Sequence, residues 1–447
     1  MAWNLLGEFG TAREGSVVRI GRFLAVAFGA ASLVLGISSS RAAAQMLGPE
    51  FRVNSYTTAR QSDAAVAADG TGNFVVVWIS NGPIGTGQDG SYSGIFGQRL
   101  DSSGLPLGAE FQANTYTTGW QLFPGVAADE AGNFVVAWGG DGPNGSGVLG
   151  QTFDATGTPA GSEFGIGSGG FGFPAAAASG IGNFLVVWES FPGPEIAGRR
   201  FGVAGIPLGE EFQVNSYTTG NQGVPEVTAD GQGDFVVVWS SPGQDGSEYG
   251  VFGQRLDAAG SALGGEFQVN SYTIGSQSWP SVAAGRDGGF IVAWSSIGQD
   301  EQPYSVYGQR YDGAGNPLGQ ELKLNDSSPN GQPVPAVAVD ESGQFLVAWQ
   351  GREYGASDYG VFARLYDPEG RPLSSHFQVS SATALNSRHP AVATGGAGEF
   401  LVVWEAYTPG GAAADVFARR VRAPLFGDGF ESGDACRWSL AQGGGCP

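Results

Sequence analysis

The sequence predicts an all-β protein, a seven-bladed β-propeller built from four-stranded antiparallel blades. Three observations lead to this prediction. A segment of the form GNFVVVW, which ends at a tryptophan, occurs seven times at intervals of 50 to 60 residues. The chain combines 77 Gly with 28 Phe and 11 Trp, which is typical of short strands joined by tight turns and not of a flexible linker. No segment after residue 44 shows a helical period of useful length.

Four segments recur in fixed order, and each is predicted as a strand of five to eight residues. Besides GNFVVVW they are a proline followed by small residues, as at 280–284, the type GVFGQRLD, as at 250–257, and the type EFQVNSY, as at 266–272. Turns rich in Asp and Gly connect them. The seven tryptophans are predicted to be packing residues between blades: Trp78, Trp138, Trp188, Trp239, Trp294, Trp349 and Trp404.

The lengths of the links predict the strand order within a blade. The tightest turns should lie inside a blade, and the longer link SYTTGxQxxP should cross to the next one. The proline segment is then innermost, GNFVVVW is second, GVFGQRLD is third and EFQVNSY is outermost. The seventh repeat ends without an outer strand, so residues 51–57 should close the ring by pairing with 416–421, which hides two sheet edges.

The two ends of the chain are predicted to lie outside the propeller. Residues 1–44 contain arginines, a 15-residue apolar run at 23–37 and an Ala-x-Ala site, which together indicate a secretory signal peptide; an uncleaved anchor is the alternative. The propeller is expected at 45–423. Cys436 and Cys446 in the tail, 424–447, are predicted to form a disulfide, because the chain is expected to be exported.

The charge excludes several classes of partner. The chain has 21 Lys and Arg against 42 Asp and Glu, and removal of 1–44, with four Arg and two Glu, leaves a charge of 17 − 40 = −23. Such a chain is unsuited to nucleic acid or to an anionic membrane surface. We expect a soluble monomer without a cofactor. The acidity favours solvation, with divalent cations as the alternative ligand.

The turn carboxylates are predicted to cap backbone N–H groups. A different loop, of the type GQDGSYSG, places a Gly-flanked aspartate after the tryptophan in three repeats. Turn formation is favoured there as well, with calcium as the alternative, because carboxylate and carbonyl oxygens are calcium ligands. The calcium candidates are Asp89, Asp245 and Asp300.

The repeat FQVNSYTTGNQ…FVVVW…GQDGSEYGVFGQR, over residues 50–422, resembles one common in large secreted and surface-associated bacterial proteins. The repeat entered through EFGIGSGG at 163–170 departs most from this pattern. The tail segment DGFESGD is similar to the end of many exported bacterial proteins. The loops at Asp89, Asp245 and Asp300 resemble the Asp-box turn of sialidase-type propellers, but their spacing differs, so the resemblance implies no sialidase activity.

Two functions remain open from the sequence. A non-catalytic binding or structural propeller, outside the cell or at its surface and recognising a glycan or a protein, is favoured because no catalytic motif is evident. A secreted propeller enzyme acting on polysaccharide, a glycosidase or a lyase, is the alternative. Residues that break the repeat are the candidates for either, although no two visibly converge. The ligand-binding candidates are Trp120, Trp279, Arg352 and Tyr354; Arg286 and His389 also break the repeat.

Overall fold

The computed structural model describes residues 45–423 except 84–86, 169, 181, 192, 194, 327–332, 353–357, 382–385, 397 and 408–412. In this part of the chain, 28 strands form seven four-stranded antiparallel sheets, and no helix is present. The predicted seven-bladed propeller is therefore confirmed. The predicted signal peptide, the tail and its two cysteines, Cys436 and Cys446, lie outside the described residues.

Six blades follow one another along the chain, each with its strands in sequence order from the channel outward. Blade 1 contains β2 (Arg60–Ala68), β3 (Phe74–Asn81), β4 (Ser93–Leu100) and β5 (Phe111–Gln112). Blade 2 contains β6 (Gln121–Ala128), β7 (Phe134–Gly142), β8 (Gly145–Phe153) and β9 (Phe164–Ser168). Blade 3 contains β10 (Ala175–Ala178), β11 (Asn183–Ser190), β12 (Glu195–Gly202) and β13 (Phe212–Gln213).

The second half of the ring repeats this arrangement. Blade 4 contains β14 (Gly223–Ala229), β15 (Phe235–Pro242), β16 (Tyr249–Leu256) and β17 (Phe267–Gln268). Blade 5 contains β18 (Gln277–Ala284), β19 (Phe290–Ile297), β20 (Tyr304–Tyr311) and β21 (Leu322–Lys323). Blade 6 contains β22 (Pro335–Val339), β23 (Phe345–Gly351), β24 (Gly360–Tyr366) and β25 (Phe377–Gln378). Blade 7 contains β26 (Ser387–Gly396), β27 (Glu399–Tyr407), β28 (Ala414–Arg422) and β1 (Gln45–Arg52).

The predicted closure of the ring is confirmed, with shifted strand limits. Strand β1 pairs with β28, with Phe51 opposite Ala418 and Arg52 opposite Phe417. The pairing extends back to Gln45 instead of forward to residue 57. Beyond β1, the Val53 N–H donates to the Val416 carbonyl (2.8 Å), and Asn54 Oδ1 accepts from the Val416 N–H (2.7 Å). The Asn54 side chain thus takes the place of the next ladder contact, and the strand ends there.

The equivalent asparagine in other repeats explains why most outer strands are shorter than predicted. In blade 1, Asn114 Oδ1 accepts from the Ile95 N–H (2.8 Å), and its Nδ2 donates to the Tyr116 carbonyl (3.0 Å). Side-chain hydrogen bonds of this kind compete with the backbone ladder. The outer strands of blades 1, 3, 4 and 5 end at such an asparagine, and in blade 6 the Ser380 hydroxyl takes its place by accepting from the Val361 N–H (3.1 Å). These five outer strands hold only two paired residues each, against the predicted five to eight.

The core lies between blades, as the repeated tryptophans predict. All seven are at most 2 % exposed. Trp78 of blade 1, for example, packs in one cluster with Leu401 and Val403 of blade 7. Exposed arginines add a second link between blades: Arg255 Nη1 and Nη2 donate to the carbonyls of Ala314 (2.7 Å) and Gly313 (2.6 Å) in the next blade. Neighbouring blades are thus joined both by buried apolar surface and by capped turns.

The turn aspartates cap backbone N–H groups as predicted. Asp69 Oδ1 accepts from the N–H groups of Thr71 (2.8 Å) and Asn73 (2.9 Å). Asp257 Oδ1 does the same for Ala259 (2.9 Å) and Ser261 (2.8 Å) in the second turn of a blade. These carboxylates serve the turns and are not candidates for chemistry.

Candidate functional site at the channel mouth

The innermost strands of all seven blades line a central channel of about 720 Å3. At one end of it, β-bulges interrupt the innermost strands of five blades. Each bulge holds a non-glycine residue with φ between 47° and 56°, a conformation that is costly for a residue with a Cβ and concentrates at functional sites. The five residues are different in every blade: Asp63, Phe123, Val224, Trp279 and His389.

Asp63 and His389 belong to adjacent blades, 1 and 7, and meet at Glu405. His389 Nδ1 lies 2.5 Å from Glu405 Oε1, and Tyr407 Oη donates to the same oxygen (2.7 Å). The Asp63 N–H donates to Glu405 Oε2 (3.2 Å). Glu405 is fully buried, whereas the His389 side chain is 43 % exposed. Because Nδ1 is bound to Glu405, Nε2 is the ring nitrogen of His389 that is left for a ligand.

The cluster has a structural role in the bulges. Residues that directly follow the core tryptophan cap the N–H of the bulge in the next blade: Gln350 Oε1 accepts from His389 (3.0 Å), and Glu189 Oε1 accepts from Val224 (2.6 Å). Glu405 does the same for Asp63. Glu405 differs from these two in also holding a histidine ring and a tyrosine hydroxyl.

Burial and the neighbouring charges shift the pKa values of His389 and Glu405 in opposite directions, whereas both raise that of Asp63. Burial raises the pKa of Asp63, and the neighbouring Glu405 carboxylate raises it further. Burial alone would lower the pKa of His389, but the hydrogen bond and the charge of Glu405 raise it above the ordinary value. Burial opposes ionisation of Glu405, yet the contacts with His389 and Tyr407 hold its pKa below the ordinary value. The cluster therefore combines an ionised glutamate, a basic histidine and an aspartate that protonates readily.

Arginines and tyrosines alternate beside the cluster. The Arg60 guanidinium lies 4.9 Å from the centre of the Tyr407 ring and also donates to its hydroxyl. Arg388 lies 6.0 Å from the same ring and 4.4 Å from the ring of Tyr359, which Arg352 covers at 4.3 Å. Contacts of this kind hold a cation over an aromatic face. The Nε atoms of Arg60 and Arg352 are buried without a hydrogen-bond partner among the described residues. Arg60, Arg352 and Arg388 form what we call the cationic sector of the mouth.

Aromatic side chains lie around the rest of the mouth. Trp279 is 39 % exposed in its bulge. Phe123 and Phe173 are in ring contact with centroids 4.0 Å apart. Farther out, Trp120 is 42 % exposed and stacks on Tyr92 with centroids 4.8 Å apart. The mouth thus has one cationic, titratable side and one aromatic side.

The predicted ligand-binding residues are therefore dispersed around the mouth. Trp279 lies in the channel rim, Arg352 lies in the cationic sector, and Trp120 lies on the outer aromatic side. Tyr354 is outside the described residues. Asp63, Glu405, Tyr407, Arg60 and Arg388 were not predicted. Of these, Glu405 has a weak signal in the sequence: the position after the core tryptophan carries an acid there and at Glu189, whereas the other repeats carry Ile, Gly, Ser or Gln.

The three calcium candidates lie in blades 1, 4 and 5, and each is engaged by groups of its own blade. Asp89 Oδ1 accepts from the Ser91 N–H (2.9 Å), and Asp245 Oδ2 accepts from Asn270 Nδ2 (3.1 Å). Asp300 pairs with Lys323 Nζ at 2.6 Å. Calcium at these positions stays a prediction.

One group of three metal-binding side chains occurs among the described residues. It consists of Asp63, His389 and Glu405, whose ligand atoms lie within 4.8 Å of one another. A metal there would have to displace the hydrogen bonds that His389 and Tyr407 make to the glutamate. The cluster is therefore better arranged for proton transfer than for metal binding.

The opposite end of the channel is crossed by an ion pair. Arg286 of blade 5 lies 2.8 Å from Glu341 of blade 6 and 3.8 Å from Glu130 of blade 2. All three side chains are more than half exposed, so the pair is weak in energy. Arg286, which breaks the repeat, is thereby placed away from the titratable cluster.

The described residues include no helix that is long and apolar enough to cross a membrane. No protein-family model and no curated protein matches the chain. Among solved structures, it is similar to a protein of unknown function from Dyadobacter fermentans (11 % identity, 85 % of this chain and 99 % of that chain, TM-score 0.52).

Two further structures are similar at lower scores. The polysaccharide lyase Uly1 is 9 % identical over 86 % of this chain and 95 % of that one, with a TM-score of 0.49. The NanB sialidase from Streptococcus pneumoniae is 8 % identical over 85 % of this chain and 71 % of that one, with a TM-score of 0.48. Of these three structures, the Dyadobacter fermentans protein has a TM-score above 0.5 and supports a shared fold; at 11 % identity the chemistry has to be argued from the site.

Proposed function

We propose that this protein is an exported propeller enzyme that cleaves an acidic polysaccharide by β-elimination at the channel mouth. The observation that carries the proposal is the cluster of His389, Glu405, Tyr407 and Asp63 between blades 7 and 1. Perturbed titratable groups that converge in a concave site are candidates for catalysis. This departs from the non-catalytic function that the sequence favoured.

The cationic sector supports an anionic substrate. Arg60, Arg388 and Arg352 lie beside the cluster in a chain that has twice as many acidic as basic residues. Guanidinium groups recognise carboxylates through paired hydrogen bonds, and the Arg60 side chain is 41 % exposed. A uronate carboxylate would have its charge neutralised there, which acidifies the proton on the adjacent carbon.

The cluster supplies the two proton transfers that elimination needs. His389 Nε2 takes the proton from the carbon next to the uronate carboxylate, while Glu405 holds Nδ1 and stabilises the imidazolium. The electron pair forms a carbon–carbon double bond as the glycosidic C4–O bond breaks. Asp63, whose protonated form is favoured by burial and by the neighbouring Glu405, donates its proton to the departing oxygen. No water is consumed, and both protons are accounted for.

The burial of Glu405 argues against hydrolysis by paired carboxylates. A retaining glycosidase needs one carboxylate free to attack the sugar and a second to donate a proton. Asp63 and Glu405 are close enough together, but Glu405 is fully buried and accepts hydrogen bonds from His389 and Tyr407. The exposed base in this cluster is the histidine, and elimination is the reaction that a histidine base serves directly.

The test is to incubate the purified protein with polygalacturonate, alginate and hyaluronan and to follow the ultraviolet absorbance of the unsaturated uronate product. We expect product from at least one of them, and a loss of rate of about 100-fold or more in His389→Gln. His376→Gln is the matched control, because His376 is the only other histidine in the chain and pairs with Asp326 in a different part of the ring.

Three outcomes would contradict the proposal. New reducing ends without the ultraviolet chromophore would indicate hydrolysis. Binding without any product would indicate a lectin-like protein. Equal loss of rate in His389→Gln and His376→Gln would show that neither histidine acts as the base.

Non-catalytic glycan binding is the second candidate, and the aromatic side of the mouth favours it. Exposed Trp120, stacked on Tyr92, and exposed Trp279 offer flat faces of the kind that sugar rings contact. A glycan array with the protein and with Trp120→Ala tests this function independently of turnover.

A further inference from the structure

Among the described residues, Glu226 carries the one carboxylate of the channel wall that lies outside the mouth cluster. Glu226 belongs to β14, two residues after the bulge at Val224, and it is part of the channel wall. At the corresponding position the other six blades carry only small, uncharged residues: Ala65, Gly125, Ala175, Ser281, Ala336 and Ala391. The wall therefore has one ionisable group at a level where every other blade is neutral.

The surroundings of Glu226 leave it without a counter-charge. Among the described residues, no side chain or backbone group hydrogen-bonds to its carboxylate. Asp63 and His389 are the only other titratable side chains of the channel wall, and both belong to the mouth cluster. Glu226 is exposed to the lumen, but the strands around the channel limit its access to bulk water, and this desolvation raises the pKa of Glu226 to about 7.

The rest of the wall is mostly Ala, Val and Pro. Within its blade, each innermost strand is paired on one side only, so its free edge presents backbone groups toward the lumen. Two hydroxyls satisfy part of this edge: Ser281 Oγ accepts from the Val337 N–H (3.1 Å), and Thr228 Oγ1 accepts from the Ala284 N–H (3.3 Å). The lumen is thus apolar with a sparse set of backbone acceptors and one acid.

We propose that this lumen binds a linear primary alkylammonium ion, with the ammonium group on Glu226 and the alkyl chain along the apolar wall. The channel volume of about 720 Å3 lies within the usual range for small-molecule sites, about 300–1,000 Å3. An ammonium group is a compact charge with three donors, which one carboxylate and nearby carbonyl oxygens satisfy. The chain then buries methylene groups, each contributing about 0.8 kcal/mol.

Other ligand classes fit this wall less well. Calcium takes six to eight oxygen ligands and magnesium an octahedral set, whereas the wall at this level offers a single carboxylate. An anion would be repelled by Glu226. A neutral ligand would displace water from the Glu226 carboxylate without supplying a counter-charge, which costs free energy. The alkylammonium proposal does not rest on the proposed lyase activity.

The test is calorimetric titration of the full-length protein with hexylammonium at pH 8, with 1-hexanol as the uncharged analogue. We expect binding of hexylammonium, and affinity weaker by at least about tenfold for 1-hexanol and for the variant Glu226→Gln. Asp63→Asn, which removes the other carboxylate of the channel wall, should bind hexylammonium as the wild type does. Thermal unfolding of both variants checks that they are folded.

The proposal is overturned if the wild type does not bind hexylammonium at millimolar concentration. It is equally overturned if folded Glu226→Gln binds as tightly as the wild type. Loss of binding in Asp63→Asn with retention in Glu226→Gln would place the cation at the mouth cluster and would also refute a site in the lumen. Lyase activity is not read in this experiment, so its presence or absence does not affect the result.

Discussion

Replacement of Glu405 by glutamine tests the cluster at the channel mouth most directly. The variant keeps the size of the side chain but removes the charge that faces His389 and Arg60. Hydrogen bonds to charged groups contribute about 1.5–3 kcal/mol. Because the His389 side chain is 43 % exposed, solvent weakens the interaction and the lower end applies. We expect Glu405→Gln to lower the free energy of unfolding by about 1.5 kcal/mol.

This effect should depend on pH, and its sign follows from the two pKa shifts. The pKa of His389 is raised in the folded protein, so its contribution is complete below the ordinary value of 6.5 and is lost as the pH rises through the folded value. The pKa of Glu405 is lowered, so its contribution is complete above the ordinary value of 4.5 and is lost at lower pH. The difference between wild type and variant should be largest between these two values.

Proton NMR of the histidine rings provides the assay, because the whole chain contains two histidines. The spectrum of His376→Gln assigns the His389 signal. In Glu405→Gln the titration midpoint of His389 should fall, since burial still disfavours the imidazolium and its partner is gone. Urea unfolding at pH 5.5 and pH 9 gives the energies. A His389 midpoint that is unchanged or higher in the variant would refute the arrangement of charges described for this site.

Three further predictions concern the scaffold and the channel. Arg255→Ala should lower the free energy of unfolding by about 1 kcal/mol, measured in urea, because two carbonyls of the next blade lose their donors; no change would show that water replaces the arginine. Glu226→Gln should raise stability by about 1 kcal/mol at pH 8 and leave it unchanged at pH 4, because the raised pKa of Glu226 destabilises the fold only at pH values above its ordinary 4.5. Calorimetry at both pH values decides this, and a lower stability at pH 8 would contradict it. Deletion of residues 45–53 should leave β28 as an open edge and produce oligomers on size-exclusion chromatography. An elution volume that indicates no change in oligomeric state would contradict the role of β1 in covering this edge.

The scaffold was predictable because its signals are local and repeated. Each tryptophan ends a buried strand in its own repeat, and each turn aspartate caps groups two and four residues away. Even the ring closure followed from sequence, because a missing outer strand at one end required a spare strand at the other. The outer strands were predicted too long because the alternating pattern of EFQVNSY does not reveal that its asparagine side chain replaces the backbone ladder.

The site was hidden because its residues are distant in the chain. The Asp63 N–H reaches Glu405 across 342 positions, and Arg60 reaches Tyr407 across 347. Only closure of the ring between blades 7 and 1 brings them together, so no spacing or motif in the sequence records the contact. Glu226 could be noticed in the sequence, because it follows Pro225 in the predicted innermost strand, where the other repeats carry small residues; that its carboxylate faces an apolar channel without a counter-charge is seen only when the seven strands come together. The sequence alone determines the repeated blade and its order of strands. The tertiary structure decides which of the few irregular residues meet, because those residues belong to different repeats and come into contact only when the ring closes.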